Sequence, residues 1–242
     1  MFDFLKPFIT SIGRNTVRIS AQQACDFAKG IAGDFNPIHD HDSKRFCVPG
    51  DLLFTESIRR LGLYESMHFE FMDMLAADVD IQYPPKAEEG KLFITSSTGK
   101  NLVGIDIAGK PLNELALAAK FARDYVRFSA KSFPDILVPL MKQHGKMINT
   151  SRPLIIYQSM SFQFEETATT QIDLTLDESQ LDIEGKRGRA LFTFTLCSAG
   201  QTIGHGEKKL ILSGLRDYQD DAMEQLTNDY LDKKKQYLLN QA

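Results

Sequence analysis

One order of elements runs through this chain twice: an apolar helical stretch, then a series of short alternating runs. In VPGDLLFTESIRRLG, residues 48–62, the side chains of Leu53, Phe54, Ile58 and Leu61 share one helical face. Asp51 is placed to cap this helix and Gly62 to stop it. MHFEFMDML, DVDIQYP and KLFITSSTG then alternate with a period of two, punctuated by Pro84, Pro85 and Gly90. From about residue 131 the order recurs. SFPDILVPLMKQHG supplies the second helix in spite of Pro139, and LIIYQSMSFQFEE, TQIDLTLDES, RALFTFTLCSAG and TIGHGEKKLILSG supply the strands.

Such a repeat restricts the fold as well as the element content. Two separate single-layer sheets would leave edges and apolar faces exposed, whereas pairing them side by side covers both. The expected class is α+β with antiparallel sheets. Letters repeat too: Tyr64, Ser66, Met67, Phe69 and Phe71 of YESMHFEF return in YQSMSFQF, Tyr157 to Phe164. Between the halves, NELALAAKFARDYVRF reads two ways. Its propensity is helical, yet Leu115, Leu117, Ala119 and Phe121 alternate, and the repeat favours a strand. The divisions expected are an N-terminal unit over 1–130, a C-terminal unit over 131–216 and a helical tail over 217–242. The tail's DAMEQLTNDYLDKKKQYLLNQ is polar and amphipathic, an exposed appendage or interface element.

Composition excludes several function classes. Over 242 residues the net charge is −4, and lysines and arginines are scattered, so no nucleic-acid footprint is present. Cys25, Cys47 and Cys197 are far apart and form no CxxC pair, which points to neither a disulfide framework nor zinc. No apolar run approaches the roughly 20 residues of a membrane span. MFDFLKPFITSIG lacks the features of a signal peptide, and a cytoplasmic location is expected.

The chemistry is concentrated upstream of the first apolar helix. NTVRIS reads as a strand, and Ser20 then caps AQQACDFAKGIA, whose Ala24, Phe27, Ala28 and Ile31 fall at helical spacing. Gly33 ends that helix, since glycine accepts positive φ without penalty. The loop GIAGDFNPIHDHD follows. Each residue alone suits a turn: Asp34 beside a glycine, Asn36 extended before Pro37. Together they form a segment stiffened by proline, able to hold Asp34 and His39 on one side. A carboxylate and an imidazole so held can share one water as general base and acid. Gly50 precedes the buried helix, where backbone N–H groups lack partners and favour negative charge, so its N–H is a donor for a developing oxyanion. Asp40, His41 and Asp42 lack a third ligand at a credible spacing, and no metal is expected.

FAKGIAGDFNPIHDHD resembles the hydratase motif of MaoC-like (R)-specific enoyl-CoA hydratases, a helix followed by Gly-Asp-x-Asn-Pro-(Ile/Leu)-His. Gly33, Asp34, Asn36, Pro37, Ile38 and His39 all match. The resemblance implies a double hot dog, in which each antiparallel sheet wraps one central helix. It also implies that Asp34 and His39 activate water while the Gly50 region binds the thioester oxygen. Asn36 and Phe54 are expected to contact the substrate, a thioester of coenzyme A or acyl carrier protein, with no further cofactor. Two departures stand out. Family members have a longer stretch before the central helix and a His-Gly pair opening it, where this chain has DHDSKRFCVPG with Pro49-Gly50.

The activity expected is therefore hydration of a trans-2-enoyl thioester, or the reverse dehydration. The alternatives are an acyl-CoA thioesterase of the hot-dog superfamily and a non-catalytic acyl-thioester or protein-binding module. Nothing near SFPDILVPLMKQHG carries an Asp and a His at the motif spacing, so the second hot dog is expected to be catalytically empty. The chain is expected to act as a monomeric double hot dog, with homodimerisation optional.

Overall fold

The computed structural model describes residues 1–166 and 171–240. Thr170 and Gln241, at the edges of two expected elements, lie outside them. β1 (Thr10–Ser11) and β2 (Thr16–Arg18) precede α1 (Ala21–Phe27). α2 (Gly50–Leu61) leads into β3 (Leu63–Phe71), β4 (Asp80–Gln82), β5 (Gly90–Ser96) and β6 (Asn101–Leu112). Next come α3 (Leu115–Ala130), α4 (Leu137–Gln143), β7 (Lys146–Met147) and β8 (Ile155–Phe164). β9 (Asp173–Glu184), β10 (Arg187–Ser198), β11 (Gln201–Ser213), β12 (Arg216–Asp217) and α5 (Asp220–Leu239) complete the order.

Ten strands form one antiparallel sheet in the order β1-β2-β4-β5-β6-β3-β8-β11-β10-β9. β3 and β8 join the halves, and these are the two strands whose letters repeat. Their pairing is symmetric: Ser66 faces Gln163 while Glu70 faces Ser159, with His68 opposite Ser161 between them. Exchanging Ser66 for Ser159 and Glu70 for Gln163 reproduces the register, so a local two-fold passes through the His68–Ser161 pair.

α2 and α3 pack against each other and share one core with β3, β5, β6 and β8. Phe54 of α2 meets Phe69 of β3 at a ring-centroid distance of 5.1 Å, and Phe121 of α3 meets Phe162 of β8 at 5.0 Å. Burying each such ring contributes about 1.5–3 kcal/mol. Each half is an antiparallel sheet around one helix, and the chain is a double hot dog whose two sheets run together. A smaller core joins α4 to β9, β10 and β11 through Leu137, Met141, Leu181, Phe192 and Leu212.

The second central helix comes from a different segment than expected. Residues 113–128, expected as a strand, lie almost wholly in α3 (Leu115–Ala130). Leu117, Phe121, Tyr125 and Ser129 recur every four residues and are buried, whereas Leu115, which began the apparent alternation, is 52% exposed. Ala- and Leu-rich propensity therefore agrees with the tertiary seam, and the alternation was incidental. SFPDILVPLMKQHG instead makes an irregular turn and the short α4 in the connection between α3 and β8. Pro139 is tolerated there because it lies in the first turn, where its missing N–H has no helical partner. β6 was absent from the expected strands. Its Leu102 to Ile105 are all buried in succession, which hides any alternation.

Candidate functional site

Local hydrogen bonds build the motif loop. Ser20 and Gln23 form a capping box at the start of α1. At the other end the helix widens into a turn over Ala28–Ala32, and Gly33 adopts φ 78°, a conformation that suits glycine. The Asp34 N–H donates to the Ala28 carbonyl at 2.8 Å. Asp34 Oδ1 accepts the Asn36 N–H at 2.9 Å, and Asn36 Oδ1 accepts the Ile38 N–H at 3.2 Å. Asn36 thereby caps the single tight turn Pro37–His39.

His39 Nδ1 lies 2.7 Å from the Cys47 carbonyl oxygen, which can only accept. The ring proton is therefore on Nδ1, and Nε2 of the neutral imidazole carries a lone pair. That Nε2 stands 3.7 Å from Asp34 Oδ2. The separation is too long for a direct hydrogen bond and suits two acceptors that share one water. Burial pushes the Cys47 thiol up to about 11, so this sulfur stays protonated and unreactive at neutral pH.

Asp34, His39 and Gly50 line one cavity of about 320 Å³. Pro49, not Asp51, is the N-cap of α2. Neither the Gly50 nor the Asp51 N–H has an acceptor among the described residues. A Cβ on residue 50 would come within 3.0 Å of Tyr157 Cδ1 and 3.1 Å of Phe71 Cε1, so glycine lets these rings close over the helix start. Asn36 also lines the cavity. Phe54 does not: it is fully buried against Phe69 and Tyr125, and its neighbour Leu53 reaches the cavity instead.

Sequence reasoning missed a second group in the same cavity. Asp51, read as a cap, turns inward and is 8% exposed. Ser129 Oγ donates to Asp51 Oδ1 at 3.0 Å. Lys208 Nζ donates to Ser129 Oγ at 2.6 Å, to the Ser129 carbonyl at 2.9 Å and to Ser132 Oγ at 2.9 Å. The ammonium also lies 4.6 Å from the centroid of the Tyr157 ring. Burial raises the Asp51 carboxyl to about 6, against the opposing pull of Lys208 and Ser129. Burial likewise lowers Lys208, with Asp51 and Asp34 opposing it. A signal for Lys208 was present: in TIGHGEKKLILSG it shares parity with the buried Leu210 and Leu212, which puts a lysine on the inward face.

The tail is no free appendage. Tyr230 of α5 is buried, and its hydroxyl accepts the Phe35 N–H at 3.2 Å. Tyr230 and Tyr237 both stack edge-on against Phe35, and Lys233 reaches Asp40, which also pairs with Lys29. The helix therefore clamps the motif loop from behind. Tyr230→Phe should leave the buried Phe35 N–H without an acceptor and lower stability by about 1–3 kcal/mol. Faster hydrogen exchange at the Phe35 amide would report the loss, and unchanged exchange would show that the clamp is incidental.

Among the described residues no three His, Cys, Asp or Glu side chains converge as metal ligands. Nor, among these residues, is any helix long and apolar enough to cross a membrane. Residues 3–221 match the model of a family described as "Protein of unknown function (DUF3581)". The chain belongs to the DUF3581 family. No curated protein matches it in sequence. Among solved structures this DUF3581 chain is similar to the tesB protein of Mycobacterium avium subs paratuberculosis, with 11% identity and a TM-score of 0.47 over 86% of this chain and 96% of that one. An acyl-CoA thioesterase II, TesB2, from Mycobacterium marinum shares 10% identity over 90% of this chain and all of its own, TM-score 0.45. A MaoC-like dehydratase from Phytophthora capsici shares 13% identity over 80% and 93% of the two chains, TM-score 0.38.

Proposed function

We propose that the protein adds water to a trans-2-enoyl thioester, or removes it in reverse. One observation carries the reading: Asp34 Oδ2 and His39 Nε2, both acceptors, stand 3.7 Å apart in a cavity that the start of α2 also lines. A water between them would donate one hydrogen to each, leaving an oxygen lone pair for Cβ. His39 Nε2 takes a proton as the C–O bond forms. The electron pair moves to the thioester oxygen, where the Gly50 N–H would stabilise the enolate. Protonation at Cα completes the product. Hydration is neither oxidation nor reduction, so these groups suffice for the steps described. Asn36 is assigned a substrate contact at the cavity wall; Phe54, sealed in the core, is not.

His39–Asp34 is the only histidine–carboxylate pair among the described residues, which supports one site per chain. The deciding experiment is incubation with crotonyl-CoA. Loss of the enoyl absorbance without thiol release is the expected result. Thiol release would replace the reading with thioester hydrolysis, and no change in either would leave a binding module.

A further inference from the structure

The buried group that shares the cavity with the dyad has no part in the steps above, apart from the unassigned proton at Cα. Asp51 directly follows Gly50, so a thioester oxygen at the Gly50 N–H would bring Cα, two bonds away, toward the Asp51 carboxyl. Asp51 and Lys208 both line the cavity that holds Asp34 and His39. Ser129 engages Asp51 Oδ1, and among the described residues Oδ2 has no partner. One oxygen is held while the other remains available to the cavity.

Structure alone is a poor reason for this arrangement. A first-turn acid complements a helix dipole equally well from the surface. Burying it with a lysine removes two charges from water, and well-packed apolar residues are often as stable or more so. The position, the cavity and the fixed orientation together suit proton transfer.

We infer that Asp51 is a further catalytic residue, the acid that delivers the proton to Cα in hydration and the base that removes it in dehydration, with Ser129 and Lys208 positioning it. The inference rests on the thioester reading of the site. In hydration the Asp51 O–H bond breaks, its proton joins Cα, and the enolate pair becomes the new C–H bond. The proton taken from water by His39 returns to Asp51 through cavity water after product leaves. The groups facing Asp51 are Tyr125 and Ser129 from α3, Tyr157 from β8, Lys208 from β11 and Asp34 from the motif loop. A carboxyl that titrates near 6 in this setting supplies both forms around neutral pH.

The test uses butyryl-CoA in deuterium oxide, a saturated thioester that has a Cα hydrogen but no double bond to hydrate. The full-length protein should exchange that hydrogen for deuterium, read by mass spectrometry. Asp51→Asn should slow exchange by about 10²-fold or more. As a base Asp51 acts ionised, so exchange should rise with pH. Because the Ser129 hydrogen bond favours the ionised form, Ser129→Ala should move the midpoint to higher pH. This variant keeps the carboxyl and covers the case in which Asp51→Asn fails to fold. Failure of the wild type to exchange, wild-type exchange by Asp51→Asn, or an unmoved midpoint in Ser129→Ala would each overturn the inference. Asp51-dependent exchange without crotonyl-CoA hydration would sink the hydratase reading and keep only the part of this one that makes Asp51 the group moving the proton at Cα of a thioester.

Discussion

Asp34→Asn and His39→Ala should each lower crotonyl-CoA hydration by about 10²-fold or more, the usual scale for a general acid or base. Asparagine keeps the shape of Asp34 and an Oδ1 to accept the Asn36 N–H, so the loop should hold. What it loses is the carboxylate oxygen, Oδ2, to which the proposed water would donate. His39→Ala removes the Nε2 lone pair together with the Nδ1 contact to the Cys47 carbonyl. Circular dichroism and a melting curve for each variant separate a chemical loss from a structural one. Wild-type turnover in both would refute the dyad. Loss of folding in both would assign Asp34 and His39 to loop architecture alone.

Lys208→Ala should destabilise the fold by roughly 3–5 kcal/mol, the cost of leaving one member of a buried charge pair alone. Lys208 is 4% exposed, and its ammonium holds Ser129 and Ser132 and lowers the Asp51 carboxyl. The loss should depend on pH, with a definite sign. The folded pKa of Asp51, about 6, lies above its ordinary value of 3.8. Its contribution to stability is therefore complete below the ordinary value and declines as pH rises through about 6. Removing the lysine raises Asp51 further, so the variant should lose more at pH 8 than at pH 5. Urea unfolding at the two pH values measures this. Combining Lys208→Met with Asp51→Asn should recover much of the loss, because no uncompensated charge then remains. Equal losses at both pH values would argue that Lys208 acts through packing alone.

The motif loop was legible because its bonds are short in sequence. Ser20 reaches Gln23, Asp34 reaches Asn36, and Asn36 reaches Ile38. Gly33 needs only its own φ. Each follows from local stereochemistry, so the chain alone determined the helix, the reversal after it and the tight turn at His39. The apolar face of α2 and most strands followed equally from periodicity. The matched letters of β3 and β8 fall on the two strands that pair across the seam between the halves.

Tertiary structure decided the rest. Whether residues 115–130 bury one face of a helix or of a strand depends on α2 and β8 being in place to receive Phe121 and Tyr125. Phe54 lies on the apolar face of α2, but only the packed neighbours determine that it meets Phe69 and not the cavity. The bonds of Ser129 to Asp51 and of Lys208 to Ser129 span 78 and 79 positions, and the bond of Phe35 to Tyr230 spans 195. Such pairs have no local conformational signature. They form only when the folded sheet brings α2, α3 and β11 around one cavity and α5 behind the motif loop, and the energy that orders them is the burial of the surrounding core.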